Sequence, residues 1–320
     1  MATKSFVVVF TSLHAKKYIR TLIRCIKNVL KIEDEPYTSI CRDEHLILVE
    51  AHDPVFASSA IERLYGIEKV LIARQIKNDY NDIVETATEV GGNLLLGNET
   101  FYVQVEGYSR GFLPKDAEMA ITSSIIEEKS SQNVRPGTQD RHDKLLYVYM
   151  TQSNAYISIF EDKCFGGLPM GVQGKAVSCI FDEMSAMACL ETIRMGYNTK
   201  ILALYRKESD LTNLAKIINK ILPYLIHKKI QLTIHKVSSG GQGFLNMVIL
   251  ATELAINIAK DHNISHITLP ISRIIFPGLY VDKLLHRIYD AQLNPILALP
   301  DYEQMVAISE RLNLPFNAES

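Results

Sequence analysis

One stretch divides this chain and constrains how both parts can fold. Residues 166–175 read G-G-L-P-M-G-V-Q-G-K, a connector rich in glycine, which is typical of a segment between packed units. Directly after it, the apolar run Ala176–Ile180 predicts a strand and Met184–Met195 predicts a helix. A glycine-rich connector followed by strand, turn and helix is a common opening of a nucleotide-binding α/β domain.

The turn between this strand and helix has the wrong chemistry for such a site. It reads Phe181-Asp182-Glu183, with no glycine and two carboxylates. A phosphate cradle needs backbone N–H groups that are free to approach an anion. Two carboxylates there would repel that anion. The sequence therefore predicts the layout of a nucleotide site without its chemistry.

Composition places the chain among ordinary globular proteins. It has 320 residues, of which 47% are hydrophobic and 22% charged, enough for two or three compact units. Five scattered cysteines, with no C-x-x-C pair, argue against a zinc site and a disulfide framework. The nine histidines show no metal-ligand spacing, and no apolar run approaches a membrane span. We therefore expect a cytoplasmic protein with no metal site and no membrane partner.

The first 32 residues carry seven Lys or Arg and no Asp or Glu. Ala15–Lys31 predicts an amphipathic helix, and its polar face forms what we call the basic ridge. Most charged faces are simply solvated, but charges of one sign repel one another unless an anion is the partner. The ridge predicts contact with a nucleic-acid phosphate backbone. Its residues are Lys16, Lys17, Arg20, Arg24, Lys27 and Lys31.

The N-terminal half predicts two α+β units. The first is β-α-β-α-β and ferredoxin-like, and the second has an alternating strand at Thr100–Glu106. We expect its first helix, Asp79–Leu96, to break near Gly91-Gly92, and its second helix to begin with Asp116 as N-cap. Three loop cations are further candidates for RNA contact, although each alone is more often solvated: Arg110, Lys115 and Arg135. The first unit is predicted from Ser5–Thr11, Ala15–Lys31, His45–Glu50, Pro54–Leu64 and Ile67–Ala73, and the second ends in a hairpin of Lys144–Met150 and Ala155–Phe160.

After the connector, short apolar strands alternate with amphipathic helices, which predicts a parallel, doubly wound sheet. One glycine-rich turn before a helix is a weak candidate anion site, because such turns are usually only turns. Its residues are Ser239, Gly240, Gly241 and Gly243. Cys179 and Cys189 could serve sulfur transfer, but their apolar surroundings favour buried, inert thiols.

Three segments carry a resemblance to one family. The connector F-G-G-L-P-M-G-V-Q-G-K resembles the segment before the nucleotide-binding domain of tRNA 4-thiouridine synthetases, also called tRNA sulfurtransferases. Thr100–Pro114 resembles the strand and loop that open a THUMP core, and the N-terminal unit looks like the ferredoxin-like domain that precedes it. The resemblance implies a ferredoxin-like domain (1–76), a THUMP domain (77–165), a connector (166–175) and a PP-loop-like α/β domain (176–320).

The resemblance also implies a function and marks where this chain departs from it. The first two domains would bind the acceptor stem of tRNA, and the third would adenylate a uridine with ATP. Active relatives carry S-G-G-x-D-S after the first strand of that domain, whereas this chain has I-F-D-E-M-S and keeps only Ser185. We expect no rhodanese domain, and Glu106 and Gly107 stand where the resemblance leads us to expect basic residues.

Two hypotheses follow. The first is a tRNA-binding protein on this scaffold that has lost ATP-dependent catalysis and has no catalytic residue or cofactor. Such a protein could act as an accessory to a separate modification enzyme. The second is a divergent, active tRNA sulfurtransferase that uses ATP, held near Ser239–Gly243. The sequence favours the first, because it removes backbone donors and adds like charge where phosphates would bind.

Overall fold

A computed structural model describes residues 5–109, 111–225, 232–237, 243–273, 276–299 and 301–313. The chain divides into two compact units. Unit 1 takes the described residues up to Lys16, together with Ile26–Glu62 and Ile67–Phe165. Unit 2 takes Lys17–Cys25, Arg63–Gly66 and the described residues from Gly166 onward.

Within the described residues, unit 1 is built on one eight-stranded sheet with the strand order β2-β3-β1-β4-β8-β7-β5-β6. Both predicted N-terminal units contribute strands to this one sheet. The strands are β1 (Ser5–Thr11), β2 (Tyr37–Asp43), β3 (Leu46–Ala51), β4 (Ile67–Lys77), β5 (Thr100–Gly107), β6 (Arg135–Pro136), β7 (Lys144–Met150) and β8 (Asn154–Gly166). The helices of this part of the chain are α1 (Ile19–Ile32), α2 (Pro54–Ile61), α3 (Tyr80–Leu94) and α4 (Pro114–Glu128).

Strand β2 was not predicted from the sequence. The first predicted N-terminal unit is therefore β-α-β-β-α-β rather than β-α-β-α-β. Strand β2 lies at the edge of the sheet and pairs with β3 alone among the described strands. None of its residues is fully buried. An edge strand with this little burial lacks the apolar alternation by which strands are predicted.

Two predictions about the helices of the second predicted N-terminal unit, which lies within unit 1, were wrong. Helix α3 runs through Gly91 and Gly92 without a break. A Cβ on Gly91 would lie 2.6 Å from Ile125 Cδ1, and one on Gly92 would lie 2.7 Å from Glu128 Oε1. The glycines therefore let α4 approach closely. Helix α4 begins at Pro114, and Asp116 lies inside it, where its carboxylate accepts a hydrogen bond from Leu113 N at 3.2 Å.

The predicted alternation in β5 is confirmed. Its buried residues Phe101, Val103 and Val105 face a core formed with α3 and α4. On the other side of the sheet, Tyr147 and Tyr156 pack with apolar residues of β1, β3 and β4. The predicted hairpin is also present, with β7 antiparallel to β8.

Unit 2 contains a parallel five-stranded sheet with the order β11-β10-β9-β12-β13 in its described part. Residues on one side of β9, including Val177 and Cys179, pack on α7 and α8, and Ala176 packs with Ala188 of α5 on the other. The predicted doubly wound sheet is thus confirmed. Its strands are β9 (Lys175–Ile180), β10 (Asn198–Tyr205), β11 (Thr233–Lys236), β12 (His266–Leu269) and β13 (Asn294–Leu297). Its helices are α5 (Glu183–Arg194), α6 (Glu208–Ile221), α7 (Phe244–Asp261), α8 (Gly278–Asp290) and α9 (Tyr302–Leu312).

The glycine-rich connector is tied to the turn after α5 by backbone hydrogen bonds. Leu168 N donates to Arg194 O at 2.8 Å, and Gly171 N and Gln173 N both donate to Gly196 O, at 2.9 and 3.1 Å. Gly171 itself has φ +89°, a conformation that L side chains rarely adopt. The connector is thus a fixed part of unit 2 that leads directly into β9.

Candidate functional site

The turn that should hold a nucleotide lies between β9 and α5. Strand β9 pairs with β10 on one side and β12 on the other, so the strand order reverses beside it. In open α/β sheets, ligands bind outside the carboxyl ends of the strands at this reversal. The β9–α5 turn therefore occupies the standard ligand position of its fold.

The backbone donors of this turn are bound by the turn itself. The Ser185 hydroxyl is fully buried and accepts hydrogen bonds from Phe181 N at 2.9 Å and Asp182 N at 3.0 Å. The same hydroxyl lies 2.9 Å from Asp182 O, to which it donates. Asp182 caps helix α5 by accepting from Ser185 N at 2.8 Å. Three N–H groups that a phosphate could have used are thus already paired.

The Asp182 carboxylate is held where an anion would sit. Burial raises its pKa, and the hydrogen bonds from Ser185 oppose that rise. A carboxylate in this position satisfies the helix N-terminus and also repels a second anion. Asp followed three residues later by Ser is the sequence signal for this arrangement, which resembles a capping box with the two residue types exchanged.

A cavity of about 330 Å³ opens beside the turn, at the carboxyl ends of β9 and β10. Its lining includes Phe181, Asp182, Arg206, Asp210 and Gly243. Asp210 accepts hydrogen bonds from the backbone N–H groups of Arg206 and Lys207, at 3.1 and 2.9 Å. The Arg206 guanidinium donates to Gly243 O at 3.0 Å.

Sequence reasoning did not select Arg206 as a site residue. The signal available was its position directly after a predicted strand of a parallel sheet, which is where ligand-binding residues of such sheets lie. Of the weak anion-site candidates, Gly243 lies at the start of α7 with φ +136°. Ser239, Gly240 and Gly241 lie outside the described residues.

The basic ridge lies on the 3-10 helix Leu13–Tyr18 and on α1, which continues it. The opposite face of α1 buries Leu22, Ile26 and Leu30 completely. All six ridge residues are exposed. Within the described part of the chain, none of the six forms an ion pair with a carboxylate, and Lys17 Nζ lies 4.9 Å from the centre of the Tyr18 ring.

The three loop cations are different. Lys115 lies in the first turn of α4 and pairs with Glu118. Arg135 lies in β6, and its guanidinium donates to Asn133 Oδ1 at 3.2 and 3.1 Å. Arg110 lies outside the described residues. The structure thus gathers the six ridge cations on one continuous helical segment and gives the two described loop cations partners of their own.

Glu106 and Gly107, which replace the expected basic residues, have structural roles. Glu106 accepts hydrogen bonds from Tyr147 OH at 2.6 Å and Gln104 Nε2 at 2.5 Å. Lys69 Nζ in turn donates to Tyr147 OH at 3.0 Å and pairs with Glu161 at 3.1 Å. Gly107 has φ +97°, and a Cβ there would overlap the Met150 carbonyl oxygen. We call the connected side chains around Tyr147 the Lys69–Tyr147–Glu106 network.

The interpretation of the cysteines is supported by their burial. Cys179 and Cys189 are buried, and burial raises the pKa of each thiol to about 12. Neither thiol is therefore a thiolate at neutral pH. In the described residues we find no group of His, Cys, Asp or Glu side chains arranged to hold a metal ion. None of the described helices combines the length and the apolar character that crossing a bilayer requires.

Comparison with known proteins identifies relatives of this chain, although no family model matches it. A probable tRNA sulfurtransferase of Methanosarcina mazei is 26% identical over 165 residues, which cover 50% of this chain and 40% of that relative. This chain therefore spans less than half the length of that curated relative.

Two crystal structures share the fold. One is of PH1313 from Pyrococcus horikoshii Ot3, with a TM-score of 0.73, 18% identity and coverage of 97% of this chain and 100% of that chain. The other is a 4-thiouridine synthetase–RNA complex with bound ATP, with a TM-score of 0.69, 15% identity and coverage of 97% of this chain and 85% of that chain. The predicted resemblance is thus confirmed: this chain is similar in sequence to probable tRNA sulfurtransferases and shares its fold with a solved 4-thiouridine synthetase.

Proposed function

We propose that this protein binds tRNA through the basic ridge and lacks the ATP-dependent chemistry of the tRNA sulfurtransferase scaffold. On this proposal, the N-terminal half comprises a ferredoxin-like and a THUMP domain, and residues 176–320 form a PP-loop-like domain. The protein acts in the cytoplasm, a reducing compartment that suits its five scattered cysteines. It serves tRNA modification as an accessory to a separate enzyme.

The observation that carries tRNA binding is the unpaired state of the basic ridge. Six exposed cations follow one helical segment, and the described residues supply no carboxylate to any of them. A row of phosphates removes the self-repulsion of such a ridge and releases counterions on binding. RNA bound to the solved 4-thiouridine synthetase supports RNA as the source of those phosphates.

The observation that carries the loss of ATP chemistry is that the backbone N–H groups of the β9–α5 turn are already hydrogen-bonded within the turn. A nucleotide phosphate would have to displace Ser185 Oγ and the Asp182 carboxylate from the donors that they occupy. It would also face the charge of that carboxylate at close range. Binding therefore has to overcome hydrogen bonds that already exist and a repulsion that a glycine turn lacks.

The alternative of a divergent ATP-using enzyme has one observation in its favour. The cavity beside the turn contains Arg206, whose guanidinium has no carboxylate partner among the described residues and can approach an anion. The two proposals differ in a direct measurement. Calorimetric titration with Mg-ATP gives no binding heat under our proposal and a saturable isotherm under the alternative.

A further inference from the structure

The cavity beside the β9–α5 turn has apolar walls and polar groups that the proposed function leaves unused. We call it the Arg206 cavity; its volume is about 330 Å³ and its described lining lies within unit 2. Buried Leu204 and Met247 form part of the apolar wall. Phe181 and Tyr205 add aromatic side chains that are partly exposed. A concave apolar site with a few polar groups is the usual form of a small-molecule pocket, and this volume falls within the usual range.

Asp210 gives this cavity an ionised hydrogen-bond acceptor. Its Oδ2 atom accepts from the backbone N–H groups of Arg206 and Lys207, at 3.1 and 2.9 Å. These hydrogen bonds, above all the one from Lys207, lower the pKa of the carboxyl group. Its Oδ1 atom, by contrast, accepts only from the Ser209 hydroxyl, at 3.4 Å, among the described residues. The carboxylate is therefore fixed in position and charged at neutral pH, and it retains acceptor capacity for the hydroxyl groups of a ligand.

Arg206 gives the same cavity hydrogen-bond donors. Within the described part of the chain, its guanidinium makes one hydrogen bond, to Gly243 O at 3.0 Å. A guanidinium carries five N–H donors in one plane, so most of them remain for oxygen or nitrogen atoms of a ligand. Donors and an acceptor thus meet beside the aromatic side chains of Phe181 and Tyr205, on which a flat ring can stack.

The charge of the lining selects against anions. Asp182 and Asp210 place two carboxylates against the one guanidinium of Arg206 in the described lining. The lining is therefore net negative, and a phosphate group on a ligand adds repulsion at close range. A flat ring, hydroxyl groups and the absence of negative charge together describe a nucleoside without phosphate groups.

We propose that the Arg206 cavity binds an unphosphorylated nucleoside, whose sugar hydroxyl groups donate to Asp210. The base lies beside Phe181 and Tyr205, and its polar edge accepts from Arg206. An acid that follows a strand of a nucleotide-binding parallel sheet accepts from ribose hydroxyls in other folds, and Asp210 lies in the first turn of α6, directly after β10. This inference rests on the proposed loss of ATP chemistry, because the charge that disfavours a nucleotide leaves a nucleoside unaffected.

The test titrates the full chain by calorimetry with adenosine, guanosine, cytidine and uridine, each up to about 1 mM. We expect at least one of them to give a saturable isotherm, and its 5′-monophosphate to bind about tenfold more weakly. Arg206→Ala should weaken nucleoside binding about tenfold, because it removes charged donors. Lys207→Ala is the matched control, since it removes a neighbouring exposed cation whose side chain lies outside the lining, and it should bind normally.

A second variant addresses the sugar contact. Asp210→Asn keeps an oxygen that can accept from the backbone N–H groups of Arg206 and Lys207 but removes the charge. It should weaken the ribonucleoside several-fold and leave the 2′,3′-dideoxy analogue unaffected, a difference that a purely structural role of Asp210 would not produce.

The proposal is overturned if none of the four nucleosides binds, if the 5′-monophosphate binds as tightly as its nucleoside, or if Arg206→Ala binds the nucleoside normally. It is also overturned if Asp210→Asn weakens the ribonucleoside and the dideoxy analogue equally. Failure of nucleoside binding leaves the proposed function standing, whereas a saturable Mg-ATP isotherm contradicts the proposed loss of ATP chemistry.

Discussion

The β9–α5 turn and the basic ridge differ in whether their polar groups have partners within the protein. In the turn, three backbone donors, a hydroxyl and a carboxylate satisfy one another. On the ridge, six cations are exposed, and the described residues give none of them a carboxylate. Groups that the chain pairs internally contribute to stability, whereas groups left unpaired are available to a ligand. The comparison supports our proposal that the ridge binds tRNA, whereas the paired groups of the turn contribute to stability.

The largest effect should come from reversing charge on the ridge. We expect Arg20→Glu with Arg24→Glu to weaken tRNA binding by about 100-fold at low salt, because two phosphate contacts become repulsions. The slope of log affinity against log salt concentration should fall in magnitude by about 1.8. A filter-binding titration over a salt series measures both quantities.

The control for this prediction changes net charge by the same amount elsewhere. Lys260→Glu with Lys283→Glu alters two exposed lysines on α7 and α8. These substitutions should leave most of the affinity intact. Equal losses in the two double variants would mean that total charge, rather than the ridge, governs binding.

The next effect concerns Glu106, an acid where the family resemblance leads one to expect a base. Glu106→Lys should lower the free energy of unfolding by about 3 kcal/mol, because it removes the acceptor of Tyr147 and places a second ammonium near Lys69. Urea denaturation measures it. Glu106→Gln keeps an acceptor and should cost much less. If the Glu106→Lys protein were stable and bound tRNA more strongly, we would conclude that this position contacts the RNA.

A smaller effect tests the other side of the comparison. Ser185→Ala leaves the N–H groups of Phe181 and Asp182 without their acceptor, so stability should fall by about 1–3 kcal/mol. Affinity for tRNA should not change. Urea denaturation and filter binding on the same sample therefore separate the turn from the ridge, since the ridge variants should show the reverse pattern. Unchanged stability of the Ser185→Ala protein would contradict the claim that the Ser185 hydroxyl satisfies these two N–H groups.

The last effect is a pH dependence of stability, which for a single thiol amounts to about 1.4 kcal/mol over one pH unit. Burial raises the pKa of Cys179 and Cys189 to about 12, whereas an unfolded thiol titrates near about 8.5. Above that value the unfolded chain releases protons that the folded chain retains, so stability falls as pH rises. Each thiol contributes about 1.4 kcal/mol per pH unit in this window. Denaturation between about pH 8 and 10 should show a shallower slope for Cys179→Ala.

Periodicity predicted the parts of the fold in which burial alternates. Strand β5 and the apolar face of α1 show such patterns, and the structure confirms both. Strand β2 escaped prediction because it lies at an edge with no fully buried residue. Gly91-Gly92 suggested a helix break, because the sequence alone does not reveal that α4 packs directly over them. Local propensity cannot report a contact made by a distant segment.

The candidate site was predictable to a similar extent. The acids of the β9–α5 turn predicted a poor phosphate site, and the geometry adds a second reason, since Ser185 occupies the donors. That role was hidden because Ser185 alone remains from the relatives' motif and could be taken for a remnant. The spacing and the sign of the charges were sufficient to predict the ridge. Selecting Arg206 as a site residue would have required knowing where strand β10 ends.

The central claim is that this protein binds tRNA although the backbone donors of its β9–α5 turn are already occupied by Ser185 and Asp182. Calorimetric titration of one preparation, first with Mg-ATP and then with tRNA, tests it most directly. We predict no saturable heat with Mg-ATP and a salt-sensitive isotherm with tRNA. A Mg-ATP isotherm with a Kd below about 100 µM, a range accessible to this method, would contradict the account.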